Sequence, residues 1–390
     1  MPSPSILFVD HSAALGGAEL YLLDVAKHFR DRAAVVTFEN GPFVDRLQAA
    51  CIKSQVIAAP ASILEVRRDS SFLRLVAAVP ALCRFAFQLV STARDYDILF
   101  ANSQKSFLVT AIAGVLSRRP VIWNLHDLLT DDHFSAGKRH LVARVANACA
   151  SRVIVNSEAT RKAFASSGGR RSLTRIVYNG IDAADFDVSP HDVQTVRNNF
   201  QLQSEPVVGV FSRLASWKGQ HVLLDAVAAL PEIHVLIVGD ALFGGDVKYA
   251  RTLRQTAEKR GMAHRVHFAG FQQNIAPYLH ACDIVIHTST APEPFGRVIV
   301  EGMLAGKPVI ATKAGGAREI ITSEQNGLLV APGDSAALRQ AIVSLLSKPD
   351  MARALAQRGR QEAASRYSLE KMVEGINHVF QSVAPPVTTA

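Results

Sequence analysis

The stretch "SILFVDHSAALGGAELYLLDVAKHF", residues 5–29, carries the pattern that decides the fold. Residues 5–10 are a short apolar run that ends in a polar residue, which is typical of a parallel strand buried on both faces of its sheet. The loop 11–17 contains two adjacent glycines, and residues 18–29 repeat apolar side chains at helical spacing. A buried strand, a turn and a helix in this order predict the first unit of an α/β sheet.

The same pattern of strand and helix recurs along the chain in two sets. Each run is apolar and continuous, ends in polar residues and is followed by a helical stretch. The predicted strands of the first set are 33–38, 97–103, 120–127 and 152–157, and those of the second set are 207–214, 234–240, 266–270, 283–289 and 308–313. This alternation predicts an α/β protein with two Rossmann-like, doubly wound domains.

A polar stretch with few apolar runs, residues 179–206, separates the two sets. We therefore predict an N-terminal domain at 1–183, a linker at 184–206 and a C-terminal domain at 207–365. One more amphipathic helix is predicted at 366–383. Ligands of open parallel sheets bind beyond the carboxyl ends of the strands, so the polar strand ends are the expected site.

Composition restricts the class of protein. The chain has 390 residues, of which 48% are hydrophobic and 19% are charged, as expected of a globular protein with a large core. Residues 1–183 hold 22 Lys and Arg against 15 Asp and Glu, whereas the remaining residues hold 20 against 19. The basic first half favours an anionic partner, which leaves nucleic acid, an anionic membrane and a phosphorylated acceptor open. Its basic residues are not interleaved with aromatic ones, which disfavours nucleic acid.

The sequence also bears on cellular location. Arg74, Pro80 and Arg84 interrupt the most apolar segment, 70–93, so we expect no transmembrane helix. The N-terminal residues lack the basic and apolar regions of a signal peptide, and the four scattered cysteines suit a reducing compartment. We predict a cytoplasmic protein. Peripheral contact with the inner face of an anionic membrane, through the basic segment Arg67–Arg94, is a further hypothesis.

Several catalytic patterns are absent from the sequence. It has no GxxxxGK[ST] phosphate loop, no GxGxxG after the first strand, and neither HExxH nor GxSxG. Asp95 and Asp97 have the D-x-D spacing that some metal-dependent sugar transferases use. They directly precede a predicted buried strand, so we interpret them as structural.

Glycine turns and two cations remain as candidates for binding a charged ligand. Gly16 and Gly17 lie between a strand and a helix, where the backbone can approach a phosphate, although the same pair also suits a plain turn. Arg213 ends a predicted strand, and Lys218 lies shortly after it. Together the two side chains suit a diphosphate, whereas either alone is more often a solvated surface charge.

These features together resemble the retaining glycosyltransferases of family 4, whose GT-B fold has two Rossmann-like domains facing a deep inter-domain cleft. The segment "EPFGRVIVEGMLAGKPVIATKAGGAREII" (293–321) is similar to the family's acidic signature, which has seven residues between two glutamates. "SRLASWKG" (212–219) resembles its diphosphate motif, and "GGAEL" (16–20) resembles its first-loop phosphate motif. "VYNGID" (177–182) resembles the segment entering the linker, and "RYSLE" (366–370) resembles the start of the helix that crosses back to the first domain.

The resemblance implies roles for the residues of the acidic signature. Glu301 would accept hydrogen bonds from the ribose hydroxyls of a nucleotide, and Glu293 would hold hydroxyls of the transferred sugar near the reacting carbon. The neighbouring residues expected to contact the donor are Phe295, Gly296, Arg297 and Val298.

The resemblance also implies a way to stabilise the leaving group. Arg213 and Lys218 would neutralise the diphosphate, so that no metal and no other cofactor is expected. His126 would lie near the reactive carbon of the donor, although a histidine that simply packs at a strand end is the alternative. The expected catalytic residues are His126, Arg213, Lys218 and Glu293. The other expected donor contacts are Gly16, Gly17, Gly239, Asp240 and Phe271.

The implied activity is retaining transfer of a hexose from a nucleoside-diphosphate sugar to a hydroxyl of a saccharide or lipid-linked saccharide, in polysaccharide biosynthesis. UDP-glucose is the foremost donor, and GDP-mannose and ADP-sugars remain open. A disaccharide phosphorylase and a sugar-nucleotide epimerase are alternatives on the same fold. A two-lobed solute-binding protein is disfavoured by the missing signal peptide.

Overall fold

The computed structural model describes residues 3–60, 72–132, 134–241 and 244–384. The chain forms two compact units. The first unit holds the chain up to Gly180 together with the residues from Leu369 onward, and the second unit holds Ile181–Ser368. Each unit is built on one parallel sheet with helices packed against it.

The described part of the first unit has a seven-stranded sheet in the order β3-β2-β1-β4-β5-β6-β7. The strands are β1 (Ile6–Asp10), β2 (Ala33–Thr37), β3 (Ser54–Val56), β4 (Ile98–Ala101), β5 (Val121–Leu125), β6 (Arg152–Val155) and β7 (Thr174–Ile176). The helices are α1 (Gly17–His28), α2 (Pro42–Ala49), α3 (Phe72–Ala93), α4 (Gln104–Ser117), α5 (Ala136–Cys149) and α6 (Glu158–Ser166). Every residue of β1, β2, β4 and β5 is buried, which explains why these strands are mainly apolar, and their polar residues are Asp10, Thr37 and Asn124.

The described part of the second unit has a six-stranded sheet in the order β10-β9-β8-β11-β12-β13. The strands are β8 (Val207–Phe211), β9 (His234–Val238), β10 (Val266–Gly270), β11 (Ile284–His287), β12 (Val309–Thr312) and β13 (Leu328–Val330). The helices are α7 (Pro190–Asn199), α8 (Gln220–Val227), α9 (Gly244–Lys259), α10 (Ala276–Ala281), α11 (Arg297–Leu304), α12 (Ala317–Ile320), α13 (Ser335–Ser347) and α14 (Pro349–Arg366).

The last helix, α15 (Leu369–Val383), belongs to the first unit although it follows the second unit in sequence. Its Phe380 is fully buried and contacts the rings of Phe8, Phe29 and Phe100. These three rings come from β1, from the end of α1 and from β4. The helix is therefore part of the hydrophobic core of the first unit.

The stretch predicted as a linker, 184–206, lies within the second unit in the structure. It contains α7, which packs against α10, and Arg197 of α7 donates a hydrogen bond to the carbonyl oxygen of Ala281 at 2.7 Å. Val196 is the buried residue of α7. A surface helix that buries so little apolar surface has a polar sequence, and this explains why the sequence suggested a connection.

The residues around the D-x-D spacing have a structural contact. Asp97 Oδ2 accepts hydrogen bonds from the backbone N–H and the hydroxyl of Ser5, both at 2.9 Å. Asp97 thus ties the residue before β1 to the residue before β4. No helix in the described residues has the length and the apolar character needed to cross a membrane.

Candidate active site

The carboxyl ends of the strands in the second unit bring together residues that are distant in sequence. Strand order reverses between β8 and β11, which is the point where open parallel sheets bind their ligands. All the strands are parallel, so the residues that follow them lie along one edge of the sheet. The predicted residues that follow strands at this edge are Arg213, Gly239, Asp240 and Phe271.

Glu293 lies at the centre of a buried polar cluster. Its Oε1 atom lies 2.8 Å from Lys218 Nζ and 2.8 Å from His287 Nε2, and it also accepts a short hydrogen bond from the hydroxyl of Ser289. The side chain of Glu293 is 10% exposed and that of Lys218 is 16% exposed, so the ion pair is shielded from water. Thr312 Oγ1 contacts the far side of His287, at 3.2 Å from Nδ1.

Electrostatics keep Glu293 ionised. Burial by itself would raise the pKa of the Glu293 carboxyl, but Lys218 and His287 outweigh burial and hold this pKa well below its usual value. The carboxylate is therefore negatively charged throughout the physiological pH range. It is suited to accept hydrogen bonds and to stabilise positive charge, and unsuited to donate a proton.

Glycines allow close backbone approach around this cluster. A Cβ atom at Gly315, whose φ is +55°, would overlap the carbonyl oxygen of Glu293 and lie 2.7 Å from its nitrogen. Gly316 N donates to the same carbonyl oxygen at 2.9 Å. A Cβ atom at Gly219, whose φ is +70°, would overlap the carbonyl oxygen of Thr288. Only glycine fits at Gly219 and Gly315, and the glycines fix the backbone next to Lys218 and Glu293.

The two cations of the predicted diphosphate motif lie close together. The Arg213 guanidinium lies 5.9 Å and Lys218 Nζ lies 4.4 Å from the centre of the Trp217 ring. Arg213 Nε forms an ion pair with Asp246 Oδ2 at 3.4 Å. The structure thus brings Arg213 and Lys218 together, and each already contacts a carboxylate.

Glu301 is also buried, in the second turn of α11. Its Oε1 atom accepts a hydrogen bond from Arg297 Nε, one turn earlier, at 2.6 Å. The turn before the helix ends at Gly296, whose φ is +101°, while Phe295 is buried and Val298 is partly exposed. One carboxylate and one arginine therefore lie at the edge of the sheet next to the Glu293 cluster.

Three further predicted contacts lie beyond β9 and β10. Gly239 has a φ of +133°, and a Cβ atom there would overlap the carbonyl oxygen of Ser212. Asp240 Oδ1 accepts a hydrogen bond from Ala241 N at 2.7 Å. The Phe271 ring is 56% exposed, as expected of a side chain available to stack on a flat ligand.

In the first unit, His126 belongs to a chain of polar side chains at the ends of β1, β4 and β5. Asn124 Nδ2 lies 2.7 Å from His126 Nε2 and donates to Asn102 Oδ1 at 3.0 Å. Asn102 Nδ2 in turn donates to Asp10 Oδ2 at 2.6 Å. The Tyr21 ring packs edge-on against the imidazole.

Burial lowers the pKa of His126 to about 4, although Asp127 and Asp10 act in the opposite direction. His126 is therefore neutral at physiological pH. Its Nε2 atom contacts both the Asn124 amide nitrogen, at 2.7 Å, and Asn102 Oδ1, at 3.1 Å. His126 thus carries no positive charge at the strand ends of the first unit.

The glycine turn of the first unit is held by a buried carboxylate. Gly16 N donates to Glu19 Oε2 at 3.0 Å, and Gly17 is the first residue of α1. A Cβ atom at Gly17 would meet no atom within 4 Å, so the space next to this residue is open. Burial and the nearby charge of Asp10 raise the pKa of Glu19 to about 7.

Replacing Glu19 by glutamine is expected to remove a pH dependence of stability. Glu19 has a pKa of about 7 when folded, against 4.5 as its usual value. Folding therefore favours the protonated form, and the native protein loses stability as pH rises from 4.5 to about 7. We therefore expect the free energy of unfolding of Glu19→Gln, measured in urea, to increase relative to that of the wild type as pH rises over this interval. A difference that stays constant with pH would contradict the prediction, and Glu374→Gln, at an exposed site on α15, is the control.

Two family models match the chain. The model for Glycosyltransferase Family 4 matches residues 15–185, and the model for Glycosyl transferases group 1 matches residues 192–362. The structure is similar to that of HepE from Anabaena, solved in complex with UDP-glucose, with 40% sequence identity and a TM-score of 0.89. The match covers 97% of this chain and 100% of the HepE chain.

The chain belongs to glycosyltransferase family 4. Its two units have the GT-B fold, as the sequence predicted. It is 32% identical over 177 residues to the lipopolysaccharide core biosynthesis glycosyltransferase LpsE of Rhizobium meliloti, covering 45% of this chain and 50% of LpsE. It is 34% identical over 206 residues to the putative glycosyltransferase EpsD of Bacillus subtilis, covering 52% of this chain and 53% of EpsD. The chain thus spans about half the length of these curated relatives.

The structure of this family 4 member adds polar residues that the sequence patterns did not single out. They are Asp10, Glu19, Asn102 and Asn124 in the first unit and His287, Ser289 and Thr312 in the second. Most of them end a strand or directly follow one, and a polar residue at the end of an apolar run was the available signal. Within the described residues, no group of three or more His, Cys, Asp or Glu side chains is arranged to hold a metal ion.

Proposed function

We propose that this protein is a retaining hexosyltransferase that uses a UDP-hexose, foremost UDP-glucose. Its acceptor would be a hydroxyl of a saccharide or lipid-linked saccharide in polysaccharide biosynthesis. The observation that carries the proposal is the buried Lys218–Glu293 pair at the carboxyl edge of the second sheet. The 40% identity to HepE, solved with UDP-glucose, supports the choice of donor, and the name of LpsE supports a saccharide acceptor.

In the proposed reaction, the bond between the anomeric carbon and the β-phosphate oxygen breaks, and its electron pair stays on the phosphate. The acceptor oxygen bonds to the same face of the anomeric carbon, and its proton passes to the departing phosphate oxygen. Lys218 and Arg213 would stabilise the charge that develops on the diphosphate. Glu293, held ionised, would stabilise the positive charge of the sugar ring and hold its hydroxyls.

The other residues would bind the donor. Glu301 would accept hydrogen bonds from the ribose hydroxyls, and Phe271 would stack on the base. His126, which is neutral, would form a hydrogen bond with a sugar hydroxyl through Nδ1. We also propose that the reaction needs no metal ion, because the two cations already supply the positive charge that a diphosphate leaving group requires.

A thermal-shift experiment tests the choice of donor and the need for a metal. UDP and UDP-glucose should raise Tm, and the rise should persist in EDTA, whereas GDP and ADP should not raise it. A rise in Tm with another nucleotide alone would mean that the donor carries the base of that nucleotide and not uracil. A rise only with inorganic phosphate and a disaccharide would favour a phosphorylase. For the stereochemistry, NMR of the product should show the anomeric configuration of the donor, and an inverted product would refute retention.

Replacing Glu301 by alanine is expected to weaken UDP binding. The substitution removes a buried acceptor for the ribose hydroxyls, and the lost hydrogen bonds correspond to about a tenfold or larger rise in Kd. Isothermal titration with UDP measures the effect, and Glu258→Ala, at an exposed position of α9, is the control. An unchanged Kd in a folded Glu301→Ala protein would remove Glu301 from the nucleotide site.

We further propose peripheral contact with an anionic membrane through the outer face of α3, α4 and α5. An apolar groove of about 380 Å³ lies between these helices, lined by residues such as Leu82, Ile112 and Val145. Phe87 and Val115 are more than half exposed on the same helices. The three helices contain no Asp or Glu, which makes the face complementary to anionic headgroups.

The structure changes which residues of the basic segment support this contact. Phe85, part of the sequence hypothesis, is buried in the core and is unavailable to a membrane. Phe87 and Arg84 are exposed. Arg67 and the side chains of Phe72, Leu73 and Leu75 lie outside the described residues.

Sedimentation with vesicles of phosphatidylglycerol and phosphatidylcholine tests the membrane contact. The wild type should bind at low salt and release at high salt, because surface charge is screened. Val115→Glu should weaken binding about tenfold or more, since it places a charge in the apolar contact. Val343→Glu, at an exposed valine of α13, is the matched control. Absence of wild-type binding at low salt, or equal loss in both variants, would refute the contact.

A further inference from the structure

The two carboxylate oxygens of Glu293 differ in their surroundings. Oε1 is contacted by three donors, which come from Lys218, His287 and Ser289. No hydrogen bond or ion pair joins Oε2 to any of the residues that the structure describes. Three donors saturate the lone pairs of Oε1, so Oε2 is the oxygen available to a ligand.

The three residues that hold this arrangement lie at the ends of two neighbouring strands. His287 is the last residue of β11 and Thr312 is the last residue of β12, and His287 pairs with Ala311 in the parallel register. Ser289 follows β11 by two residues. The Thr312 hydroxyl contacts His287 and the Ser289 hydroxyl contacts Glu293, so one hydroxyl lies at each end of the hydrogen bond between His287 and Glu293.

The contacts of His287 explain how its ring is oriented. Its Nε2 faces an ionised carboxylate, so Nε2 carries a proton. On the other side of the ring, Nδ1 lies 3.2 Å from the Thr312 hydroxyl. Thr312 thus contacts the ring nitrogen opposite Nε2 and fixes the plane of the His287 ring. The imidazole is 4% exposed, so water does not compete for these contacts.

We propose that His287, Ser289 and Thr312 are positioning residues that fix Glu293 through Oε1 and so present Oε2 to one hydroxyl of the donor sugar. This inference rests on the proposed function, because it requires a sugar donor. The inference assigns recognition of the sugar hydroxyl to Oε2 of Glu293. A donor that lacks the recognised hydroxyl would leave Oε2 buried without a partner, and this penalty would discriminate between hexoses.

Calorimetric titration with UDP, UDP-glucose and a set of UDP-glucose analogues that each lack one sugar hydroxyl tests the proposal. In the wild type, one analogue should bind about tenfold or more weakly than UDP-glucose. In His287→Leu, UDP should bind within about twofold of the wild type, whereas UDP-glucose should bind about tenfold more weakly. The analogue that binds weakly to the wild type should bind to His287→Leu with the same affinity as UDP-glucose. His287→Gln, whose amide nitrogen can take the place of Nε2, should restore discrimination.

The matched control is His234→Leu. His234 begins β9 and contacts His267 Nε2 at 3.0 Å, so it lies at the opposite end of the strands of the same sheet. The control should keep wild-type discrimination. If His287→Leu also keeps it, or if it weakens UDP and every analogue equally, the positioning role is refuted while the proposed function stands. If the wild type binds none of the sugar nucleotides, both the proposed function and this inference fail.

Discussion

Replacing Glu293 by glutamine is expected to lower the rate of UDP release from UDP-glucose by about a hundredfold or more, because the proposed function requires its negative charge next to the reacting sugar. Glutamine preserves the size of the side chain, but its neutral amide no longer offers a charged acceptor. The substitution also leaves Lys218 without its carboxylate. Lys218 is then free to pair with the diphosphate, so the affinity for UDP should not fall.

Steady-state release of UDP measures this effect, and Glu258→Gln is the control, since that carboxylate is exposed on α9. Lys218→Met should lower the rate about tenfold or more on its own, by loss of charge stabilisation at the leaving group. Because the two side chains touch, the double variant should lose less than the product of the single effects. Wild-type rates in Glu293→Gln would refute a catalytic role for this residue.

Replacing Gly315 by alanine is expected to destabilise the second unit by about 3 kcal/mol or more, because backbone strain and a steric clash add together. The new Cβ would overlap the Glu293 carbonyl oxygen, and that oxygen cannot move away because Gly316 N binds it. The displaced backbone would also shift the Glu293 side chain. Hydrogen–deuterium exchange of peptides from β11 and β12 measures the loss of local stability.

The matched control for this prediction is Gly261→Ala. Gly261 has a φ of +65°, close to the +55° of Gly315, but a Cβ there would meet no atom within 4 Å. Gly261→Ala should lower the free energy of unfolding only by the cost of a left-handed backbone conformation, about 1–2 kcal/mol. Equal losses in the two variants would mean that the clash contributes nothing and that the turn relaxes around the new methyl group.

The central strands could be predicted from sequence because their environment permits only one kind of residue. The residues of β4 and β8 are buried and apolar, and those of β1 and β11 are buried and apolar except for the last residue of each, Asp10 and His287. The outer strands β3, β7 and β13 were not predicted. Each has three residues and includes partly or fully exposed side chains, so no continuous apolar run marks it. Helix α7 was missed because it buries only a narrow face.

For the site, the sequence predicted residues that lie within short motifs and missed contacts that depend on the fold. Glu293, Lys218 and Gly315 lie within short motifs, whose local pattern is visible without a structure. The link between His287 and Thr312 depends on the register of two strands, which no spacing in the sequence encodes. The ion pair of Arg213 with Asp246 likewise depends on a tertiary contact, which brings the start of α9 to the residues that follow β8. The assigned roles of all these residues remain predictions.

The position of α15 affects the order in which the protein can fold during synthesis. The core of the first unit needs Phe380, yet the ribosome makes this residue only after the whole of the second unit. The second unit consists of one uninterrupted segment, so it can fold as soon as it has emerged. The first unit is therefore the last to be completed, although it begins the chain. Until α15 is synthesised, the apolar surfaces around Phe8 and Phe100 remain exposed.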